Sequence, residues 1–213
     1  QLLEAEITAD DRLLLTTPLA HAAGLFAQSA LIRGATSVIE SGFDASAVLQ
    51  QLRDNGITWI FLVPTMIYRL LDAAGGSAAH VLRTVVYGAA PIAPSRLAAA
   101  LEVFGPVFVQ LYGQTECPNW GTRLAKSDHD PARPDLLGSA GQASIDADVC
   151  VVDDSGAPVE SGETGEICLR SPYTLECYLD DPAATAAKFL PGGWIRTGDV
   201  GFLDDDGYLH LRD

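Results

Sequence analysis

TWIFLVPTMIYRLLDAAG, residues 58–75, is the stretch that decides the fold class. Thr58 to Val63 is β-rich and uninterrupted, the pattern of a strand buried on both faces rather than one with a wet side. Pro64 then opens a helix, because its ring presets the helical φ and its missing N–H falls where a helix start has no partner to offer. Ile67, Leu70 and Leu71 share one face, and Gly75 follows the end. A buried strand running straight into a helix is half of a parallel βαβ unit.

Working outward, the same alternation repeats. Upstream, Arg12 to Thr16 reads as a strand, residues 22–32 as a helix and Ala35 to Ile39 as a strand. Asp44 is placed to cap a helix that carries Val48, Leu49 and Leu52 inward and stops at Asn55-Gly56. Downstream, Thr84 to Tyr87 is a strand, Pro94 opens a helix with Leu97, Leu101 and Phe104, and Val107 to Leu111 is the next strand. The expected fold is α/β, a parallel sheet with flanking helices over residues ~10–125. Ligands in such sheets bind beyond the carboxyl ends of the strands. From about Lys126 the texture changes to short strands divided by turn signals, Asp153-Asp154-Ser155-Gly156, Gly162 to Gly165 and Asp205-Asp206-Gly207, which predicts a smaller, mostly antiparallel, barrel-like β subdomain. Residues 183–187 are alanine-rich and read as helix. The predicted division is 1–127 and 128–213.

The chain has 213 residues, enough to bury roughly 70% of its unfolded surface if compact. Its 28 acids against 13 bases leave a net charge of −15, and only Lys126 and Lys188 are lysines. A nucleic-acid or anionic-membrane surface needs the opposite balance. No apolar run approaches the ~20 residues that span a bilayer, and no signal peptide opens the chain. Cys117, Cys150, Cys168 and Cys177 form no C-x-x-C pair and are expected as free, mostly buried thiols, which fits a reducing cytoplasmic setting. His21, His80, His129 and His210 are scattered, giving a histidine metal site no support. The sequence specifies no oligomer.

Chemistry concentrates at a few points. Tyr112-Gly113-Gln114-Thr115-Glu116 follows a strand-like run and offers a flat ring, a residue that admits close approach, a hydroxyl and a carboxylate suited to Mg²⁺. Gly88-Ala89-Ala90 is a small-residue strand exit, either a tight turn or a surface for a flat group. His21, in Pro18 to Gly24, either caps a helix or lines a pocket. Asp199, in Trp194-Ile195-Arg196-Thr197-Gly198-Asp199, is either a turn aspartate or an acceptor for paired hydroxyls. Lys188 reads as a surface lysine at a helix end, and Asp204-Asp205-Asp206-Gly207 as a solvated hairpin turn. There is no P-loop and no dinucleotide fingerprint.

Taken in order, Pro-x-x-His-x-x-Gly, Gly-Ala-Ala-Pro, YGQTE, GEICLR, WIRTGD and DGYL closely resemble the adenylate-forming (AMP-binding) superfamily, which contains acyl-CoA synthetases, the adenylation domains of peptide synthetases and the luciferases. YGQTE and RTGD about eighty residues apart are the specific pair. The resemblance implies that a carboxylic acid attacks the α-phosphate of ATP to give an acyl-AMP, and that coenzyme A then displaces AMP. It gives Tyr112 to the adenine, with Gly88, Ala89 and Ala90 near the other face and Gly113 beside it. Gln110 goes to the adenine amino group, Thr115 to the α-phosphate, Glu116 to Mg²⁺ and Asp199 to the ribose, while His21 and Leu111 line the acyl pocket. Thr115 and Glu116 are the expected catalytic pair.

The family's phosphate loop precedes the His21 motif, and its catalytic lysine lies in a C-terminal domain beyond a hinge next to Asp213. The chain is therefore expected to be the central and rear part of the large domain, with a partial AMP site and little ligase activity alone. No acid stands in Pro18 to Gly24 to pair a substrate ammonium, and Asp44 serves as an N-cap. Leu111 favours an apolar acyl group. The acyl-CoA synthetase branch is preferred, with aromatic, short-chain and fatty acids all open. An amino-acid adenylation domain and a non-catalytic nucleotide-binding or assembly module are the alternatives.

Overall fold

The computed structural model describes residues 2–76 and 78–212. Asp213, next to which the hinge is expected, lies outside the described residues. The chain forms two compact units that interleave in sequence: residues 1–110 with 125–138, and residues 111–124 with 139–213.

The first unit is the α/β one. Its elements are β1 (Arg12–Leu15), α1 (Ala22–Arg33), β2 (Thr36–Ile39), α2 (Ala45–Asp54), β3 (Trp59–Leu62), α3 (Pro64–Ala74), β4 (Thr84–Gly88), α4 (Pro94–Phe104), the start of β5 (Phe108–Gln114) and the short α5 (Pro134–Leu137). The strand order is β2-β1-β3-β4-β5. The β1–β2, β1–β3 and β3–β4 pairs are parallel, with Leu14 opposite Val38 and Ile60, and Ile60 opposite Val85. The punctuation read from the sequence acts as expected. The Asp44 side chain accepts from the Ala47 N–H, Pro64 and Pro94 begin their helices, and Gly75 takes a left-handed conformation at the end of α3.

Strand β3 is buried on both faces. Ile60 and Leu62 join Val48, Leu52, Ile67, Leu70 and Leu97 in the main core. On the other face, Phe26 of α1 packs 4.8 Å from the Trp59 ring and 5.3 Å from that of Phe61. Each such side chain contributes ~1.5–3 kcal/mol on full burial, so the sheet is stabilised from both sides. Polar groups tie the starts of the strands together. The fully buried Asp11 carboxylate accepts from Arg83 at 2.6 Å and from the Thr58 hydroxyl at 2.7 Å. Burial pushes its carboxyl upward, but the Arg83, Thr58 and Thr8 hydrogen bonds outweigh that and hold it below the usual range.

The second unit is the β-rich one. The end of β5 turns at Thr115-Glu116 into β6 (Cys117–Leu124), and β7 (Gln142–Ala143) pairs antiparallel with β6. A second sheet holds β8 (Asp148–Val152), β9 (Gly165–Arg170), β10 (Phe189–Leu190), β11 (Trp194–Leu203) and β12 (Leu209–Arg212), with α6 (Pro182–Lys188) preceding β10. Its order is β10-β11-β9-β8 with β12 on β11, and every pair is antiparallel. Cys150 and Cys168 are register partners across β8 and β9; all four cysteines are free, with Cys177 exposed.

No helix among the described residues is long and apolar enough to cross a membrane. No cluster among them could hold a metal through three or more His, Cys, Asp or Glu side chains. The Asp204 turn is the solvated hairpin expected: its carboxylate accepts from the N–H groups of Asp206 and Tyr208 and meets His210 Nε2 at 2.9 Å.

Candidate functional site

In the first unit the candidate residues sit at strand exits. Gly88 closes β4 and is buried, while Ala89 and Ala90 are exposed beyond it. Ala89 is held at φ 65°. That left-handed conformation costs an alanine ~1–2 kcal/mol, so the surrounding turn imposes it. His21 is the N-cap residue of α1, but its side chain makes no capping hydrogen bond and is exposed. At the end of β1 just before it, the buried hydroxyls of Thr16 and Thr17 have no hydrogen-bond partner among the described residues. Buried polar atoms without partners are uncommon in folded proteins. Gln110 is 6% exposed and lies in a polar group inside the apolar core. The Tyr87 hydroxyl is 3.4 Å from its amide and 3.0 Å from His129 Nε2.

In the second unit, Tyr112 to Glu116 form a hairpin rather than a turn beyond a strand. The expected strand ended at Leu111; β5 instead continues through Tyr112, Gly113 and Gln114, and only Thr115 and Glu116 make the turn. Ladder pairing with β6 overrides the turn preference of Gly113. A Cβ on Gly113 would lie 2.7 Å from the Cys117 carbonyl oxygen and 2.9 Å from the Asn119 carbonyl carbon. The group that approaches this glycine is thus the partner strand's own backbone. Leu111 is buried, and Thr115, at the tip, is exposed.

The Tyr112 ring is half-buried against the cluster of Cys117, Leu169 and Ile195 and that of Ala140, Ile167 and Leu209. Its hydroxyl donates to Asp199 Oδ2 at 2.7 Å. Burial first, then the Asp199 carboxylate, push the phenol upward, so it stays a donor at neutral pH. The hydrogen bond joins the YGQTE hairpin to the RTGD segment within one unit.

Asp199 itself stands on a break in strand pairing. The β9–β11 register shifts between Arg196 and Val200, and Gly198 takes φ 83° there, which glycine adopts without strain. Glu166 on β9 holds the break from below. It pairs with Arg196 and accepts from the Gly198 N–H at 3.2 Å. Thr197 donates its hydroxyl to the Ile167 carbonyl at 2.7 Å and accepts from the Asp199 N–H at 3.0 Å. The aspartate is therefore exposed on a braced backbone.

Glu116 has two partners that the sequence did not indicate. The Tyr178 hydroxyl donates to its Oε1 at 2.6 Å, and Lys188 Nζ stands 3.8 Å from the same oxygen. Lys188 also donates to Gln114 Oε1 at 3.1 Å, and its side chain is only 15% exposed. The surface lysine expected at the end of α6 is instead largely covered and turned to the hairpin. Tyr178, and then Lys188, hold the Glu116 carboxyl below the usual carboxylate range against the opposing effect of burial. No spacing rule finds such contacts; the scarcity of lysine was the only available signal.

A family model described as AMP-binding enzyme matches residues 2–179. A medium/long-chain-fatty-acid–CoA ligase, FadD8, of Mycobacterium tuberculosis is 41% identical over 215 residues, covering 100% of this chain and 37% of its own length. Among solved structures, the amide bond synthetase McbA of Marinactinospora thermotolerans matches with TM-score 0.91 and 40% identity over 99% of this chain and 42% of its own. The O-succinylbenzoate coenzyme A synthetase of Bacillus subtilis, in complex with AMP, matches with TM-score 0.88 and 32% identity over 99% of this chain and 42% of its own. The chain thus spans about two fifths of the length of the relatives it matches.

Proposed function

Because this chain belongs to the AMP-binding enzyme family, we propose that the whole protein activates a carboxylic acid with ATP as an acyl adenylate and passes the acyl group to the thiol of coenzyme A. The observation that carries this is the Tyr112–Asp199 hydrogen bond of 2.7 Å, which unites an aromatic ring, a phosphate-suited hydroxyl and two carboxylates around one hairpin. The Tyr112 ring and Gln110 serve the adenine, together with Gly88, Ala89 and Ala90. Asp199, braced by Glu166, accepts from the ribose hydroxyls. Thr115, exposed at the tip, donates to an α-phosphate oxygen. This orients the phosphorus for the acid's carboxylate, whose attack expels pyrophosphate.

Glu116 fits a magnesium ligand: it is a hard oxygen donor, and a carboxyl held below the usual carboxylate range stays ionised at neutral pH. The Tyr178 and Lys188 contacts both use Oε1, so Oε2 carries neither. A magnesium ion held by Glu116 would neutralise phosphate charge. His21 and the buried Leu111 are assigned to an apolar acyl group, in keeping with a fatty or aromatic acid. The 213 residues alone are proposed to retain fold and partial nucleotide affinity with little ligase activity.

A second reading has a specific observation behind it. The similarity to an amide bond synthetase is as high as that to the CoA ligases, and an amine in place of the thiol gives an amide from the same acyl adenylate. The test is ATP–pyrophosphate exchange by the whole protein over a panel of fatty, aromatic and amino acids, followed by product analysis with coenzyme A or an amine as acceptor. The proposal expects exchange with an uncharged-tail acid and a thioester product. An amide product selects the second reading, and exchange only with amino acids selects an amino-acid adenylation domain. Absence of exchange with every acid overturns the adenylation proposal.

A further inference from the structure

Cys150 and Cys168 have no part in the proposed adenylation, and they stand directly opposite one another in the antiparallel β8–β9 ladder. Opposed residues of such a ladder have Cα atoms ~4.5 or ~5.5 Å apart, according to the pair type, and both values lie within the ~4.4–6.8 Å that a disulfide spans. Their side chains leave the same face of the sheet, with Cβ atoms ~4.5–5.5 Å apart against the ~3.5–4.5 Å of a disulfide. Closing the pair therefore asks for about 1 Å. β8 is the last strand in the order β10-β11-β9-β8, and such a strand has one neighbour in that order rather than two to hold it.

The two thiols differ in access and in acidity. Cys168 is fully buried, whereas Cys150 is partly exposed. The Cys168 S–H donates to the Cys150 sulfur, and that contact, helped by the Arg170 guanidinium, holds the Cys150 thiol below its usual range against burial and the Asp148 charge. The same contact, together with burial, pushes the Cys168 thiol upward. Arg170 is kept beside the pair by its register partner Asp148, whose carboxylate it meets at 2.8 Å. The thiolate, not the thiol, is the attacking species in sulfur exchange. The reachable sulfur is thus the one that ionises more readily, and the covered sulfur stands directly behind it.

We infer that Cys150 and Cys168 form a reversible dithiol–disulfide site that takes low-molecular-weight disulfides as oxidant, with Cys150 attacking and Cys168 resolving. The Cys150 thiolate bonds to one sulfur of the small disulfide, and the other sulfur leaves as a thiolate. Cys168, its proton passed to that leaving thiolate, then attacks the Cys150 Sγ and expels the second small thiolate, which takes up the proton Cys150 had released. The protein gives up two electrons and two protons, and the small disulfide becomes two thiols. A bond that draws two strands together stores strain, and strained disulfides are the more readily reduced, so a dithiol reductant reopens it. The chemistry is independent of the adenylation reading.

The test treats the whole protein with oxidised glutathione, blocks the remaining thiols under denaturing conditions and maps the products by mass spectrometry. A glutamyl endoprotease cuts at Glu160 and Glu163, between the two cysteines, so a Cys150–Cys168 link appears as two joined peptides. The expected result is that link in the folded protein, its disappearance on adding dithiothreitol, and its loss as the preferred pairing when oxidation is done in urea. Cys168→Ser removes the resolving thiol and should accumulate glutathione on Cys150. Cys168→Ala replaces it if the buried serine hydroxyl prevents folding. Cys150→Ser should take glutathione at Cys168 about tenfold more slowly or less, because each unit of thiol acidity is tenfold in thiolate. Absence of the link in the folded protein, glutathione held only on the exposed Cys177, or equal linking in urea overturns the inference. Equal labelling of the two single variants overturns the order of attack.

Discussion

Replacing Gly113 by alanine distinguishes two reasons for a glycine in the YGQTE hairpin. An ideal Cβ there would stand 2.7 Å from the Cys117 carbonyl oxygen, 2.9 Å from the Asn119 carbonyl carbon and 3.1 Å from the Asn119 nitrogen. Relaxed carbon contacts lie at ~3.5–4.0 Å, so an alanine methyl intrudes on three atoms at once. All three belong to backbone and cannot swing aside as a side-chain end would. Overpacking of this kind costs ~1–3 kcal/mol, and the rigid neighbours place Gly113→Ala in the upper half of that range. With a urea dependence of ~2 kcal/mol per molar, the unfolding midpoint should fall by about 1 M. Tryptophan fluorescence is a suitable probe because Trp120 is buried on β6, next in sequence to the Asn119 backbone that the methyl would meet. AMP affinity of the whole protein is measured in parallel. If glycine were needed only to admit the nucleotide, stability would be unchanged while binding fell. A urea midpoint within ~0.2 M of the parent would refute the steric argument.

Three other outcomes follow from the structure. Asp11→Asn removes the charge facing Arg83 and should destabilise by about 2–3 kcal/mol, below the ~3–5 of a fully buried pair because Arg83 is half in solvent. Because the Asp11 carboxyl is depressed in the folded state, its contribution is present above the ordinary carboxylate value and lost as pH falls through the lower folded one; the variant's acid-unfolding curve should lack that component. Ala89→Gly relieves the strain at φ 65° and, after the extra backbone entropy of glycine, should raise stability by ~0.5–1 kcal/mol, read as a higher thermal midpoint. Tyr178→Phe removes the main influence depressing Glu116, so the acid limb of magnesium-dependent ATP binding should move to higher pH, and an unmoved limb would exclude Tyr178 from that role.

Much of the first unit was legible because its signals are local. Pro64, Pro94, Asp44 and Gly75 each act within one helical turn, and the apolar run through β3 declares its own burial. What was not legible depends on partners far along the chain. The extension of β5 to Gln114 comes from pairing, which a pentapeptide with a central glycine does not announce. Tyr178 and Lys188 reach Glu116 from 62 and 72 residues away, and Glu166 braces the RTGD break from a different strand. The grouping of residues 111–124 with 139–213 has no signature in composition, because strands of either unit draw on the same apolar residues. The YGQTE and RTGD segments could be read as a pair only through resemblance; the hydrogen bond between them supplies the physical reason.

The Tyr112–Asp199 bond also has a timetable. Its residues are 87 positions apart, and at a synthesis rate of ~5–20 residues per second the second emerges several seconds after the first. Throughout that interval the growing polypeptide carries the aromatic hairpin without the carboxylate that receives its hydroxyl or the β9 and β11 side chains that cover its ring. Long-range closures of this kind come late in folding, since the entropy of joining distant segments must be met before their contacts form. On the proposed reading, nucleotide affinity is thus a property of the finished unit, and unfinished copies on the ribosome leave the cell's ATP untouched.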